Sequence, residues 1–174
     1  AFFIFFLLFL FLIASLEWIK IVKKIEIKIY GIIFLLFSFY SAFLIRELNL
    51  LNFLFILIIC ISTDIGGYFF GKTFKGPKLT KISPNKTYSG MLGGFLLSLF
   101  TSYLIFRIYN PYFLDFIFND DLIFLFIVFF ISFVSQFGDL MISYFKRLSK
   151  IKNTGKIFPG HGGLLDRIDG MIFA

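Results

Sequence analysis

Five long and nearly uncharged apolar runs constrain this chain more than any other feature of its sequence. A membrane-spanning helix needs about 20 mostly apolar residues, and the strands of a membrane barrel are shorter and alternate in polarity. The runs therefore predict an all-α fold, a polytopic bundle of about five transmembrane helices. We place the spans at residues 2–16, 29–45, 48–70, 88–109 and 122–145.

The composition supports a chain that is solvated by a bilayer. Its mean hydropathy is +0.94, and only 16% of its residues are charged. These values indicate an integral membrane protein. The single cysteine, Cys60, lies inside an apolar run, so neither a disulfide framework nor a cysteine metal site is expected.

The two ends of the sequence suggest a piece of a longer chain. Ala1 leads straight into an apolar run, and another apolar segment begins near Ile168, close to the end. We therefore expect a first helix that is short because it is cut, and the start of a sixth helix.

Basic residues predict the orientation of the bundle. Fifteen of the 17 lysines and arginines lie in or beside the connections that follow the first, third and fifth runs. Lysine and arginine are retained on the cytoplasmic side of membranes, so these connections are predicted to be cytoplasmic. Anionic lipid headgroups account for the net charge of +7, and nucleic acid is not an expected partner.

The third run carries a carboxylate and several glycines near its end. Asp64 would cost about 2.5–3.5 kcal/mol at the centre of a bilayer, so it requires a compensating partner. Gly66, Gly67 and Gly71 would let a ligand or another helix approach the backbone closely. Plain helix packing explains these glycines equally well.

A turn with a basic end precedes the fourth run. Pro84 and Asn85 are typical turn formers, and they present Lys86 and Thr87 at the start of a helix. An ammonium group and a hydroxyl group in that position suit a phosphate. A solvated basic turn is the alternative.

The fifth run has a polar face. Asp139, Ser143 and Lys146 or Arg147 recur at spacings of three to four residues, which places them on one side of a helix. That face should point into the bundle, because lipid would leave it unsatisfied. An ion pair of Asp139 with Lys146 that merely bridges helices is the alternative.

A glycine-rich loop and two further carboxylates follow. Glycines on both sides of His161 would let a phosphate reach the backbone amides, although His161 could instead form a hydrogen bond within the loop. Asp166 and Asp169 share a helical face. Together with Asp139 they form a set of carboxylates among cations, which suits Mg²⁺ and phosphoryl or nucleotidyl transfer.

The stretch SYFKRLSKIKNTGKIFPGHGGLLDRID, residues 143–169, resembles the signature of the phosphatidate cytidylyltransferases, and the upstream segments 64–66, 68–71, 83–87 and 138–139 resemble that family too. Asn153 departs from the pattern, because the family has an aspartate after the lysine that is Lys152 here. The loss matters if that aspartate binds metal, and matters little if it caps a turn. The positions of the closing motif that match are Ser143, Lys146, Arg147, Lys152, Gly155, Pro159, His161, Gly162, Gly163, Asp166, Arg167 and Asp169.

The resemblance implies transfer of CMP from CTP to phosphatidate, which yields CDP-diacylglycerol and pyrophosphate with one or two Mg²⁺ ions. We assign the metal to Asp139 and Asp166, with Asp169 and Asp64 as weaker candidates. His161 and its neighbouring glycines would shape the pyrophosphate pocket. The predicted catalytic residues are Asp139, Lys146, Arg147, His161 and Asp166. The predicted substrate-binding residues are Lys86, Thr87, Ser143, Lys152, Gly162, Gly163 and Arg167.

The resemblance also sets the expected organisation and surroundings. Residues 1–62 would be N-terminal membrane helices, and residues 63–174 a catalytic membrane region with cytoplasmic loops at 71–88 and 146–167. The expected partners are CTP, phosphatidic acid and membrane lipids, and a homodimer is compatible with the sequence. We expect a bacterial inner membrane, with the site facing the cytoplasm.

Three other functions stay open on the sequence alone. A CTP-dependent kinase of polyprenol or another lipid alcohol would use similar chemistry but move the γ-phosphoryl group. A transporter for phosphorylated metabolites would spread its charges toward both faces of the membrane, whereas here they gather on one. An inactive relative is the third, because of Asn153.

Overall fold

The computed structural model describes residues 2–80, 83–109, 121–155, 157 and 162–174, without the side chain of residue 109. These ranges form helices and connecting turns, and the β pairing within them is an isolated bridge between Lys78 and Thr87. The helices are α1 Phe2–Ile21, α2 Ile25–Leu48, α3 Leu50–Phe74, α4 Tyr88–Tyr109, α5 Asp121–Leu148 and α6 Leu165–Ile168.

Helices α1 to α5 are each long and apolar enough to cross a membrane, which confirms the predicted bundle. Their ends differ from the predicted spans by up to five residues. The expectation of a short first helix was wrong, because α1 has 20 residues and continues through Glu17 and Lys20. Glu17 was not expected inside a membrane helix, but it is buried against protein. The short α6 is followed by further turns, including a bond from Ile172 N to Ile168 O.

Helices α3 and α4 approach each other through glycines. A Cβ atom on Gly66 would lie 2.5 Å from Gly93 O, and one on Gly90 would lie 2.6 Å from Gly67 O. Small residues at such crossings let helix backbones come close in a membrane. The helix-packing interpretation of Gly66 and Gly67 is therefore confirmed, and the start of α4 lies against the last part of α3.

Helix α5 packs against both α3 and α4. The hydroxyl groups of Thr63 and Ser132 are 2.7 Å apart, so a buried polar pair joins α3 to α5. Farther along the bundle, the ring of Phe124 stacks on Phe106 of α4 with centroids 4.2 Å apart. These contacts hold the polar face of α5 next to the start of α4.

The end of α1 packs on another side of α5. The Trp18 ring meets Phe145 edge to face at 4.9 Å, and Trp18 Nε1 donates to Ile27 O at 3.3 Å. Leu165 of α6 is fully buried in the same cluster. One end of the bundle therefore brings together the C-terminal ends of α1, α3 and α5, the N-terminal end of α4, and the whole of α6.

Candidate active site

One ion pair joins the turn before α4 to the polar face of α5. Lys86 Nζ donates to Asp139 Oδ2 at 2.9 Å, and the two side chains are 31% and 17% exposed. This confirms that Asp139 points into the bundle. The alternative pairing of Asp139 with Lys146 is not found, because each of the two residues has a different partner.

Asp139 also lies beside another carboxyl group, that of Asp169. Burial, followed by the adjacent Asp139 carboxylate, raises the pKa of Asp169 to about 8. Asp139 Oδ1 is buried and, with both groups ionised, meets no hydrogen-bond donor in the described part of the chain. Gly170 packs here as well, and a Cβ atom on it would lie 3.0 Å from Asp139 Oδ1. Two carboxyl groups this close require a proton or a cation between them.

Asp64 completes this acidic group from α3. It interacts electrostatically with both Asp139 and Lys86. Lys86 is the opposite charge in that interaction, while its ion pair is with Asp139. We call Asp64, Asp139, Asp169 and Lys86 the open cluster, because Asp139 Oδ1 receives no hydrogen bond from a lysine, amide or hydroxyl group of the described residues.

A second ion pair lies one to two turns farther along α5. Lys146 Nζ donates to Asp166 Oδ1 at 2.7 Å, and the side chains are only 13% and 10% exposed. Asp166 Oδ2 accepts from Thr154 N at 2.8 Å and from Gly163 N at 2.9 Å, and the Thr154 hydroxyl oxygen lies 3.1 Å away from it. We call Lys146, Asp166, Thr154 and Gly163 the closed cluster, because both carboxylate oxygens are occupied.

The electrostatics of Asp166 follow from these contacts. Burial alone would raise the pKa of this carboxyl group, but the Lys146 ammonium and the amides of Gly163 and Thr154 outweigh burial and hold the pKa below its ordinary value. Gly162 adopts a φ of +90°, and a side chain there would overlap Asp166 Oδ2. The glycine pair predicted to bind substrate therefore also lets the loop backbone close around Asp166.

The predicted turn at Pro84 and Asn85 is present. Thr87 follows it, and its Oγ1 accepts from Gly90 N at 3.1 Å, the usual bond of a helix N-cap. The Thr87 hydroxyl therefore starts α4, while the neighbouring Lys86 reaches Asp139.

Other predicted residues border the two clusters. Ser143 is half-buried on the same face of α5, between Asp139 and Lys146. Arg147, Lys152 and Arg167 are exposed at the polar end of the bundle. His161, with Pro159 beside it, lies outside the described residues.

Sequence analysis missed one charged residue, Glu17 in α1. It is 3% exposed and accepts hydrogen bonds from Thr154 Oγ1 and from the amides of Leu164 and Leu165. The available signal was that Glu17 is the only acidic residue in the first 25 positions, within an otherwise apolar run. A carboxylate inside a membrane helix is energetically costly, and this argument, which singled out Asp64, applies equally to Glu17.

Comparison with known proteins decides the family. A family model described as "Cytidylyltransferase family" matches residues 1–174. The chain belongs to the cytidylyltransferase family. This membership confirms the resemblance that rested on the motif at 143–169 and on the upstream segments.

Several cytidylyltransferases of bacteria are similar to the chain. The phosphatidate cytidylyltransferase of Rickettsia conorii is 42% identical over 122 residues, which cover 68% of this chain and 53% of that protein. The phosphatidate cytidylyltransferase of Helicobacter pylori is 37% identical over 142 residues, which cover 80% of this chain and 48% of that protein. The phosphatidate cytidylyltransferase of Staphylococcus haemolyticus is 41% identical over 121 residues, which cover 69% of this chain and 44% of that protein. The chain spans about half the length of the curated relatives it matches.

Proposed function

We propose that this chain carries the reaction site of a phosphatidate cytidylyltransferase, which transfers CMP from CTP to phosphatidate. The observation that carries the proposal is the open cluster, in which carboxylates from α3, α5 and the turn after α6 gather beside Lys86. The relatives are named phosphatidate cytidylyltransferases, which supports CTP and phosphatidate as the substrates. None of these names favours a lipid-alcohol kinase.

The reaction needs charge neutralisation more than covalent help. A phosphate oxygen of phosphatidate attacks the α-phosphorus of CTP, and the bond from that phosphorus to the oxygen bridging to the β-phosphate breaks. Pyrophosphate leaves with that oxygen and its electron pair, and CDP-diacylglycerol is formed. A phosphate monoester is largely dianionic at neutral pH, so no side chain has to remove a proton from the nucleophile. Positioning and electrostatic stabilisation remain the work of the protein.

The open cluster fits a magnesium ion by its donor chemistry. Mg²⁺ takes one or two carboxylates and completes its shell with water and substrate phosphates. In the described ranges no three His, Cys, Asp or Glu side chains are grouped as a metal site, so protein side chains alone would not complete the shell. Asp139 Oδ1 is buried with Asp169 beside it, and a cation would satisfy both groups in place of the proton that they otherwise share.

We therefore propose that Asp139 and Asp169 hold Mg²⁺, with Asp64 as a further carboxylate that interacts with Asp139. The ion would supply charge neutralisation at the phosphates of CTP. The sequence ranked Asp166 above Asp169, and the contacts favour the reverse order. Asp166 as a metal ligand stays a prediction, since both its oxygens already accept hydrogen bonds.

Cations and amides around the two clusters would bind the remaining charges. Lys86 and Lys146 are held at the ends of α4 and α5, and each is close enough to Asp169 to interact with it. We propose that they neutralise phosphate oxygens during transfer. Exposed Arg147, Lys152 and Arg167 would attract the anionic headgroup and nucleotide. The assignment of His161 to the pyrophosphate pocket stays a prediction.

The proposed site faces the cytoplasm. The clusters lie at the end of the bundle where α1, α3 and α5 end, and in the described part of the chain 13 basic residues lie in or beside the connections there. Cytosolic CTP could reach this end directly, and phosphatidate could reach it from the adjoining leaflet. For a bacterial protein of this family, we propose the inner membrane as the location.

Labelled CTP tests the proposed reaction. The purified protein is incubated with phosphatidate, Mg²⁺ and CTP labelled at either the α- or the γ-phosphate. We expect the α-label in lipid and the γ-label in pyrophosphate, with no release when phosphatidate or Mg²⁺ is omitted. The γ-label in lipid would show a kinase instead, and label in neither product would reject the proposal.

A further inference from the structure

Glu17 is a buried carboxylate that the proposed reaction does not use. Its Oε1 accepts from Leu164 N at 2.9 Å, and its Oε2 accepts from Leu165 N at 2.8 Å and from Thr154 Oγ1 at 2.8 Å. The side chain crosses from the end of α1 to the loop between α5 and α6. Hydrogen bonds to a charged acceptor are stronger than those between neutral groups, so three of them offset much of the cost of burial.

Thr154 links Glu17 to the closed cluster. Its hydroxyl lies 2.8 Å from Glu17 Oε2 and 3.1 Å from Asp166 Oδ2, and its amide also donates to Asp166. A side chain on Gly163 would overlap both Glu17 and the Thr154 hydroxyl. The contacts therefore run without a gap from α1 through Thr154 to Asp166, and from there to Lys146.

We propose that Glu17 is a positioning residue, which holds Thr154, Leu164 and Leu165 in place and thereby sets the position of Asp166 and Lys146 relative to the open cluster. The first membrane helix is then part of the reaction site rather than a membrane anchor alone. This inference rests on the proposed function. It deepens that proposal, because it names a residue outside the motifs that sets the geometry of the site.

The contacts specify a carboxylate at this position. A glutamine would place an NH₂ group against at least one donor among Leu165 N, Thr154 Oγ1 and Leu164 N, so a hydrogen bond would be lost and two donors would face each other. Displacements of about 1 Å can cost about 100-fold in rate even when they start away from the reacting atoms. The substitution should therefore lower turnover even where the bundle stays folded.

Glu17→Gln in the full chain, purified in lipid-containing micelles, is the direct test. Glu26→Gln is the matched control, because Glu26 is an exposed glutamate close by, at the start of α2. We expect kcat per folded molecule to fall by about tenfold to 100-fold in E17Q and to stay unchanged in E26Q. Trp18, next to Glu17 and packed on Phe145, reports the fold, and its emission maximum should not move.

Hydrogen exchange locates the change independently of activity. The amides of Leu164 and Leu165 lose their charged acceptor in E17Q, so peptides that cover 154–165 should exchange about tenfold faster. Peptides from α3 and α4 should exchange at the rate of the unsubstituted protein. Uniformly faster exchange across the bundle, with activity falling in step with the folded fraction, would overturn the proposal in favour of a purely structural role.

Thr154 provides a second variant that leaves Glu17 in place. Thr154→Val removes the bridging hydroxyl at similar volume, and Thr154→Ser keeps it. We expect a fall of about tenfold in kcat for T154V and near-normal turnover for T154S. If E17Q does not fold, the comparison of kcat between T154V and T154S tests the proposal instead. An unchanged kcat in T154V would reject it.

The two proposals fail differently. If the unsubstituted protein does not release pyrophosphate from CTP with phosphatidate, the proposed function fails, and the positioning role falls with it. If the unsubstituted protein is active and E17Q equals E26Q in kcat and in exchange at 154–165, only the role of Glu17 is rejected.

Discussion

The open and closed clusters have the same core, a lysine paired with an aspartate, but they differ in what else the aspartate meets. Asp166 has both oxygens occupied, one by a lysine and the other by two amides. Asp139 has one oxygen on Lys86, and its other oxygen is buried beside Asp169 and needs a shared proton or a cation. The ion pair is therefore common to both clusters, and the groups around the other carboxylate oxygen distinguish them.

The difference separates two kinds of work in one site. The closed cluster is satisfied by the chain itself, so it holds the loop and the end of α5 in place. The open cluster carries more negative charge than its lysine neutralises, so it favours a cation. Substitutions in the two clusters should consequently affect different measurements.

Asp166→Asn should have the largest effect, on stability. It leaves Lys146 buried without its counter-charge, which costs about 3–5 kcal/mol for a buried pair. Thermal unfolding in detergent, followed by Trp18 emission, measures the loss. Asp139→Asn is the comparison, and an equal loss of stability in both variants would remove the distinction between the clusters.

Asp139→Asn should have the largest effect on turnover. Removing a group that stabilises charge in the transition state typically costs about 100-fold to 1,000-fold in kcat. Pyrophosphate release measures the change, and membrane insertion should be unaffected because Lys86 is partly exposed. Normal turnover in D139N would refute the assignment of the metal to the open cluster.

Asp169→Asn should have an intermediate effect, confined to the metal. One carboxylate remains, so we expect the Mg²⁺ concentration for half-maximal activity to rise by about tenfold, which corresponds to about 1.4 kcal/mol. Excess Mg²⁺ should restore most of the turnover. An unchanged Mg²⁺ dependence would mean that Asp169 lies outside the metal site.

Asn153→Asp should have the smallest effect. Asn153 is exposed beside Gly162, at the edge of the closed cluster. Restoring the family's aspartate should change kcat by less than about threefold, as expected for an exposed substitution worth roughly 0.5 kcal/mol. A gain of tenfold or more would show that a missing carboxylate at this position limits the reaction.

Much of the fold could be predicted from the sequence, because apolar runs of membrane length leave few alternatives. The glycines of α3 pointed to the crossing with α4, and the spacing of Asp139, Ser143 and Lys146 identified the inward face of α5. Each of these signals is local, because it depends on residues that lie a few positions apart in the same helix or turn.

The sequence singled out most of the residues of the two clusters, but it did not show how they pair. Asp166 and Asp169 share a face, yet their spacing does not show which one meets backbone donors; that depends on how the loop around Gly163 folds. Lys86 lies in the turn before α4 and Asp139 lies in α5, 53 residues later, and Glu17 accepts hydrogen bonds from a loop far along the chain. Such contacts depend on tertiary packing, which periodicity does not encode.

Binding of Mn²⁺, a spectroscopic substitute for Mg²⁺, tests the central claim most directly. Electron paramagnetic resonance would count bound Mn²⁺ in the presence of CTP for the unsubstituted protein, D139N and D166N, each at a temperature where it is folded. The account predicts that bound Mn²⁺ is lost in D139N and retained in D166N. Retention in D139N together with loss in D166N would contradict it, and would place the metal in the closed cluster.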